Sequence, residues 1–210
     1  MTQRRALLRL ALAAPLLGAA APETPTQAAA AFIRAAGSDL AGIIDVDLPP
    51  AEKRRRVAAF LDRVVDIPWV ARFCLGRFWR RANAAQQTRF LALYQGILLD
   101  NVLARVGPYR RPQKQDMQFQ IGRPQTRDGE IYVPTSVARA DHPAATVTWV
   151  VRIGPAGPHI VDLIAEGTSL RITVRSDFAS FLNQHDDSIP ALLDAMARQI
   201  STAEAGPSGR

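Results

Sequence analysis

The chain has 210 residues, of which 48% are apolar and 21% are charged, and its formal charge is +7. This length suits one domain with a substantial core. The composition excludes disordered, collagen-like and disulfide-stabilised proteins, because Cys74 is the single cysteine. The positive charge by itself is compatible with nucleic-acid binding.

The first twenty residues have the order of an export signal. A basic start with Arg4 and Arg5 precedes an apolar run over 6–17, and small residues follow at 18–21. The run is shorter than the ~20 residues that span a bilayer. We predict a signal peptide over residues 1–20, of the Sec or the twin-arginine type, cleaved near Ala20.

Removal of this signal lowers the formal charge from +7 to +4, because Arg4, Arg5 and Arg9 leave with it and no acidic residue does. A mildly basic exported protein is a poor candidate for nucleic-acid binding. No cysteine lies near residue 20 to carry a lipid anchor. We therefore expect the mature protein to be soluble and to lie outside the cytoplasmic membrane.

Four helices are predicted in the first half of the mature chain. Thr24 with Gln27, and Asn83 with Gln86, are typical of helix N-termini, and Pro50 and Pro68 suit first helical positions. Apolar residues recur at helical spacing after Pro50 and after Asn83. The predicted ranges are 25 to about 36 or 44, 50–65, 68–75 and 83–106.

The pattern then changes to alternation, which is typical of strands. Four alternating runs, over about residues 117–121, 131–137, 147–153 and 159–165, are separated by short breaks rich in Gly and Pro. This spacing predicts a four-stranded antiparallel sheet over about residues 115–165 with one apolar face, which helices should cover. Closing helices are predicted at 176–184 and 188–200. The fold class is α+β, with one domain over 21–202 and a flexible tail over 203–210.

The sequence contains no recognisable catalytic set. It has no G-x-S-x-G motif, and its three histidines have no metal-binding spacing. Cys74 lies among apolar neighbours, so we predict a buried structural thiol and not a nucleophile. Glu166 follows a predicted strand and is a candidate acid or base, but no partner for it is evident. We expect no enzyme activity, no cofactor and no metal site.

Two segments resemble those of the MlaC family, also called the toluene-tolerance auxiliary family. Residues 75–86, LGRFWRRANAAQ, followed by Phe90, are similar to the family's LGRYWR-x-A-T-P-E-Q-x-x-x-F stretch. Residues 162–170, DLIAEGTSL, followed by RSDF at 175–178, are similar to D-V-x-x-E-G-x-S-L and Y-R-S-x-F. Asn83 replaces the family's Thr, Ala84-Ala85 replace Pro-Glu, and Val174 replaces Tyr beside a possible pocket wall.

The resemblance implies a periplasmic lipid carrier. Members of the family hold phospholipid acyl chains in a cavity between sheet and helices. They pass the lipid between an outer-membrane lipoprotein complex and an inner-membrane ABC transporter with an MCE-domain subunit. We expect these partners and a monomeric protein. The family includes the hopanoid-associated HpnM branch, so a hopanoid carrier stays an alternative.

The expected pocket wall combines apolar residues of the strands and the helices, each of which is at least equally suited to an ordinary core. The residues are Phe78, Trp79, Tyr94, Leu98, Val133, Val147, Trp149, Val151, Leu163 and Leu170. Arg77 and Arg80 are candidates to meet a headgroup phosphate or a partner. Two other classes stay open at this point: an enzyme that uses Glu166 or a histidine, and an interaction domain with no ligand.

Overall fold

The computed structural model describes residues 24–106, 118–139 and 142–205 and confirms the α+β class. The helices are α1 (Pro25–Asp45), α2 (Pro50–Val64), α3 (Ile67–Leu75), α4 (Ala84–Val106), α5 (Leu170–Gln184) and α6 (Ile189–Ala205), with a 3₁₀ helix at Gly76–Arg80. The strands are β1 (Gln118–Ile121), β2 (Gln125–Arg127), β3 (Glu130–Arg139), β4 (His142–Gly154), β5 (Gly157–Ala165) and β6 (Thr168–Ser169).

The predicted helix N-termini are confirmed by their hydrogen bonds. The Thr24 amide donates to Gln27 Oε1 over 2.8 Å, and the Gln27 amide donates back to Thr24 Oγ1. Asn83 and Gln86 make the same reciprocal pair, at 3.0 and 2.9 Å. Each pair satisfies two amides that a helix start otherwise leaves without a partner. Asn therefore serves at position 83 as the cap that the family pattern assigns to Thr.

The sheet is antiparallel, as predicted, but within the described residues it has six strands and not four. Its order is β1-β3-β4-β5-β6, and β2 also pairs with β3. Both extra strands are too short to show a period in the sequence: β2 has three exposed residues and β6 has two. Each belongs to a tight hairpin, at Asp128-Gly129 and at Glu166-Gly167, where all four residues have positive φ.

A proline lies in the middle of β3, where the outer partner strand changes. β1 pairs with β3 up to Thr135 and β2 pairs from Tyr132, so Pro134, which has no amide hydrogen, lies opposite the break between them. The Gly122 amide still donates to the Pro134 carbonyl over 2.8 Å. A Cβ at Gly122 would come within 3.0 Å of Pro134 Cγ, so this close approach requires glycine.

The first closing helix begins at Leu170 and not at Ser176, which corrects the prediction. Ser169 is its N-cap, and its Oγ accepts a hydrogen bond from the Ile172 amide. The β-branched run Ile172-Thr173-Val174 hides this start, because such residues favour strands when read alone. The cap overrides that preference by giving the first turn a hydrogen-bonding partner.

Helices approach the sheet from both sides, whereas the sequence predicted cover on one face. On one side, α1 packs against β3, β4 and β5, and Gly37 lies beside the ring of Phe119 in β1. On the other side, Trp69 of α3 lies under the guanidinium of Arg152 in β4. The chain crosses between the sides at the edge of β5, where the Asp66 amide donates to the Ile160 carbonyl.

Several predictions fall on residues outside the described ranges: the signal peptide, the end of the fourth helix at Gly107-Pro108, and the last residues of the tail. The helix α6 extends to Ala205, past the residue at which we placed the start of the tail. Within the described ranges, every helix is too short or too polar to cross a membrane.

Candidate functional site

The central strands present an apolar face that contains half of the predicted wall residues. In antiparallel pairs, residues directly opposite each other share a face. Val133 lies opposite Trp149, and Trp149 lies opposite Leu163. Val147 and Val151 lie two residues before and after Trp149 on β4, so their side chains are on the same face of the sheet. The structure therefore brings together Val133, Val147, Trp149, Val151 and Leu163, which we call the apolar sheet face.

One polar residue lies within this face, and its hydrogen bonds fix the indole of Trp149. Thr135 is 3% exposed; its hydroxyl donates to the Val147 carbonyl over 2.9 Å and accepts from Trp149 Nε1 over 3.1 Å. Both polar groups are thereby satisfied inside an apolar surface, where an unpaired one would be costly. The hydrogen bond to Thr135 fixes the position of the indole N–H of Trp149.

Phe119 belongs beside this face and was missing from the predicted wall. It lies opposite Val137, in register with the residues of the apolar sheet face, and it is 45% exposed. A large exposed apolar side chain between the sheet and α1 is a surface that a ligand can cover. The alternation of Met117, Phe119 and Ile121 was the signal that could have placed it there.

Two other predicted wall residues form a separate aromatic cluster around Phe90 of α4, and a third is buried beneath two arginines. The Trp79 ring lies edge-on to Phe90 at 6.4 Å, and Tyr94 lies 6.1 Å from Phe90. Phe78 is buried and carries the guanidinium groups of Arg77 and Arg81 over its ring. These contacts are those of a helical core, so the structure does not bring Phe78, Trp79 and Tyr94 onto the apolar sheet face.

The last two predicted wall residues have different environments. Leu98 of α4 is partly buried against the core. Leu170 is the first residue of α5 and is 38% exposed. The role of both residues as ligand contacts stays a prediction.

Cys74 is buried, as predicted, and its surroundings make it a poor nucleophile. It is 1% exposed, and its sulfur lies 3.7 Å from the Tyr94 hydroxyl and 3.5 Å from the Arg171 carbonyl. Burial raises the pKa of the thiol to about 11, although the hydrogen bond to Tyr94 acts in the opposite direction. Burial likewise raises the pKa of Tyr94. Both groups are protonated at neutral pH, so neither can act as a nucleophile or base there.

The acidic residues of the second family-like segment have structural roles. Glu166 is exposed at a hairpin turn with a φ of 51°. Asp162 is buried; its Oδ1 accepts from the amides of Leu163 and Arg171, and its Oδ2 accepts from Ser169 Oγ over 2.5 Å. Asp162 thus joins β5, β6 and the start of α5. Among the described residues, no group of His, Cys, Asp or Glu could hold a metal ion.

The two candidate headgroup residues lie on the 3₁₀ helix and are exposed. Arg77 donates to Asn183 Oδ1 over 3.3 Å. Arg80 makes no hydrogen bond or ion pair within the described part of the chain. Both side chains are thus available to a phosphate or a carboxylate from outside.

Comparison with known proteins gives the family. The family model for MlaC protein matches residues 45–198. The chain belongs to the MlaC family. Comparison with curated protein sequences gives no match.

Among solved structures, the chain is similar to a phospholipid-binding protein from Ralstonia solanacearum that was solved in complex with a phospholipid. The TM-score is 0.71 and the sequence identity is 17%, and the match covers 84% of this chain and 98% of that protein. At this identity the likeness shows a shared fold. The MlaC fold is therefore common to both chains over nearly the whole of the Ralstonia protein.

Proposed function

We propose that this MlaC-family protein is a periplasmic lipid carrier that binds the acyl chains of a phospholipid on the apolar sheet face. The observation that carries the proposal is the continuity of this face from Val133 to Leu163, with the exposed ring of Phe119 at its margin. Membership of the family and the fold shared with a phospholipid-binding protein support it.

The physical reason is the cost of taking lipid out of a membrane. Each methylene that leaves an apolar phase for water costs ~0.8 kcal/mol, so two acyl chains need an apolar surface that excludes water. A carrier that offers such a surface exchanges one apolar environment for another, and the net driving force is small. Direction must then come from the partners, for which we propose an outer-membrane lipoprotein complex and the MCE-domain subunit of an inner-membrane ABC transporter.

The headgroup is assigned to the arginines of the 3₁₀ helix in this proposal. Arg77 and Arg80 are exposed and can offer paired N–H groups to a phosphate or to an acidic partner. The chemistry is that of a binding protein and not of an enzyme. Cys74 and Tyr94 are protonated at neutral pH, and Glu166 lies in a hairpin turn with a positive φ.

Lipid content measured by mass spectrometry tests the proposal. The protein would be produced with its own leader, purified from the periplasm and extracted with organic solvent. We expect a phospholipid in near-stoichiometric amount. A hopanoid would assign the cargo to the other lipid class, and a protein free of lipid would contradict the proposal.

A matched pair of variants tests the location. In Val147→Trp, a bulky ring stands on the apolar sheet face, so lipid content should fall while the protein remains folded. In Thr146→Trp, the same ring stands on the opposite face of the same strand at an exposed position. Equal lipid content in Val147→Trp and the wild type would exclude the apolar sheet face as the binding site.

A further inference from the structure

A stack of arginine and aromatic side chains lies on the side of the sheet opposite the proposed lipid site. Trp69 and Phe73 are four residues apart on α3, and their rings stack with centroids 5.6 Å apart and planes 16° apart. The Arg152 guanidinium lies over Trp69 at 4.6 Å, and that of Arg175 lies over Phe73 at 5.0 Å. Arg171 lies over both rings, at 5.4 and 5.0 Å. Three cations therefore surround one pair of rings.

Of these three arginines, only Arg171 meets carboxylates within the described residues. Its two terminal nitrogens bind the two carboxylate oxygens of Glu130 over 2.8 and 2.7 Å, and its Nε lies 3.4 Å from Asp162 Oδ2. Neither Arg152 nor Arg175 meets a carboxylate within the described residues. Arg72 shares a face of α3 with the two rings, and it too lies over an aromatic ring, that of Trp79, at 5.3 Å.

Three arginines on other helices are arranged differently, because each meets a carboxylate. Arg54 of α2 binds Asp100, Arg63 of α2 binds Asp39, and Arg89 of α4 binds Asp194. Their charges are compensated within the protein. A guanidinium stacked on a ring keeps its charge, and the N–H groups that it does not use within the protein can bind an oxygen from outside. In Arg175, Nη1 donates to the Phe73 carbonyl over 3.2 Å, and the other nitrogens make no hydrogen bond within the described residues. The contrast gives this side of the molecule an uncompensated positive charge.

Exposed apolar groups accompany these cations. Ile172 is 57% exposed and lies one turn before Arg175 on α5, and the rings of Trp69 and Trp79 are partly exposed. Arginine, tryptophan and an exposed aliphatic residue together are typical of surfaces that lie in a membrane interface. We call the set Trp69, Arg72, Phe73, Arg152, Ile172 and Arg175 the arginine–aromatic face.

We propose that the arginine–aromatic face docks onto the surface of a bilayer that contains anionic lipid. The stacked guanidinium groups bind lipid phosphates, and Ile172 enters the boundary between headgroups and acyl chains. An acidic protein would also pair with the arginines, but it would need a shaped pocket to receive Ile172. A fluid bilayer takes up an aliphatic side chain without such a pocket. The face lies opposite the apolar sheet face, so membrane docking and cargo loading are separate properties.

Vesicle co-sedimentation at low salt tests this proposal. The probes are vesicles of phosphatidylcholine alone and of equimolar phosphatidylcholine and phosphatidylglycerol. The wild type should sediment with the second only, and added salt should release it. In the double variant Arg72→Gln/Arg175→Gln, vesicle affinity should fall by about fivefold for each arginine removed. Ile172→Ser should also lower it.

The matched control is Arg63→Gln/Arg89→Gln, which removes the same charge from arginines that have carboxylate partners. It should bind vesicles as the wild type does. Equal losses in both double variants, or no binding to the anionic vesicles, would overturn the proposal, and the second result would favour an acidic protein as the partner. Thermal unfolding verifies that each variant is folded, and Arg72→Gln alone replaces the pair if Arg175→Gln unfolds. Bound-lipid content is measured separately, so failure of docking is distinguishable from failure of the carrier function.

Discussion

The guanidinium group of Arg175 lies directly against the backbone of Gly76. A Cβ at position 76 would lie 3.3 Å from both Cζ and Nη2 of Arg175, and Arg175 also donates to the Phe73 carbonyl over 3.2 Å. The two residues come from the two segments that resemble the MlaC family. These segments, which start at Leu75 and Asp162 and are therefore far apart in the sequence, meet where α5 packs on the end of α3.

Gly76→Ala should destabilise the protein by about 1–3 kcal/mol. The φ of 59° and ψ of −128° belong to a region that glycine alone adopts readily, and the new methyl group would press on Arg175. Urea unfolding measures the loss. Gly42→Ala is the matched control, because it lies in α1 with open space around it and should be neutral or stabilising by up to ~1 kcal/mol. Equal stability of Gly76→Ala and the wild type would contradict the account.

Asp162→Ala should cost about 3 kcal/mol or more of unfolding free energy. The change leaves the Ser169 hydroxyl and the Arg171 amide without an acceptor in a buried position, and it removes a negative charge beside Arg171. Thermal or urea unfolding reports the difference. Ser169→Ala removes the cap and one of the hydrogen bonds to Asp162 but keeps the carboxylate, and it should cost about 1–2 kcal/mol. If the two variants lose the same amount of unfolding free energy, the connection between β5, β6 and α5 depends on the Ser169 cap and not on the Asp162 carboxylate.

Arg171→Met should destabilise the protein by about 3–5 kcal/mol, because it leaves Glu130 buried without its counter-ion. The side chains of this pair are 12% and 15% exposed, and their bidentate contact raises the pKa of Arg171. The double variant Arg171→Met/Glu130→Gln removes both charges and should recover a large part of the loss. A double-mutant cycle by urea unfolding measures the coupling. Additive losses would show that the two charges are independent.

Cys74 should make stability depend on pH in the alkaline range. Its pKa is raised from 9.0 to about 11 in the folded protein, so the folded state holds a proton that the unfolded state has lost between these values. The contribution is complete below pH 9 and is lost as the pH rises towards 11. The contribution of Cys74 to the free energy of unfolding should fall by about 1 kcal/mol per pH unit in this range.

Cys74→Ala isolates that contribution. Urea unfolding at pH 8, 9 and 10 gives the slope of unfolding free energy against pH for the variant and for the wild type. Other groups titrate in both proteins, so the difference between the two slopes comes from Cys74. These pH values bracket the ordinary pKa of the thiol, 9.0. The wild type should show the steeper fall. Tyr94, whose pKa is also raised, adds to the slope above pH 10. Identical slopes in both proteins would mean that the thiol is not buried in its protonated form.

Much of the fold is predictable from the sequence because its signals are local. Thr24, Gln27, Asn83 and Gln86 satisfy helix amides within one turn, so their meaning does not depend on the rest of the chain. Long strands show their alternation for the same reason. The strands β2 and β6 were missed because a run of two or three residues has no period. The start of α5 was missed because the β-branched residues 172–174 favour a strand, and because the acceptor of the Arg171 amide, Asp162, lies in the distant strand β5.

The candidate site was predictable only in part. Alternation placed Val133, Val147 and Trp149 on one face, and the register of the sheet agrees. Helical periodicity shows which residues form the apolar stripe of a helix, but it does not show which other element of the fold packs against that stripe. In the structure Tyr94 contacts Phe90, and Phe78 lies under Arg77 and Arg81, while the role of both as wall residues stays a prediction.

The position of Asp162 has a consequence for changing the cargo by design. Its hydrogen bonds, together with the contact of Gly76 with Arg175, secure the connections between helices and strands, whereas the side chains of Val133, Val147 and Trp149 project from strands that those connections already hold. Substitutions at these three positions leave every cap, turn and ion pair of those connections in place. Val133 is fully buried and loses volume more readily than it gains it, and a change at Trp149 also removes the hydrogen bond to Thr135. The same scaffold can thus be redesigned for thicker, thinner or more rigid hydrophobic molecules through substitutions confined to two neighbouring strands.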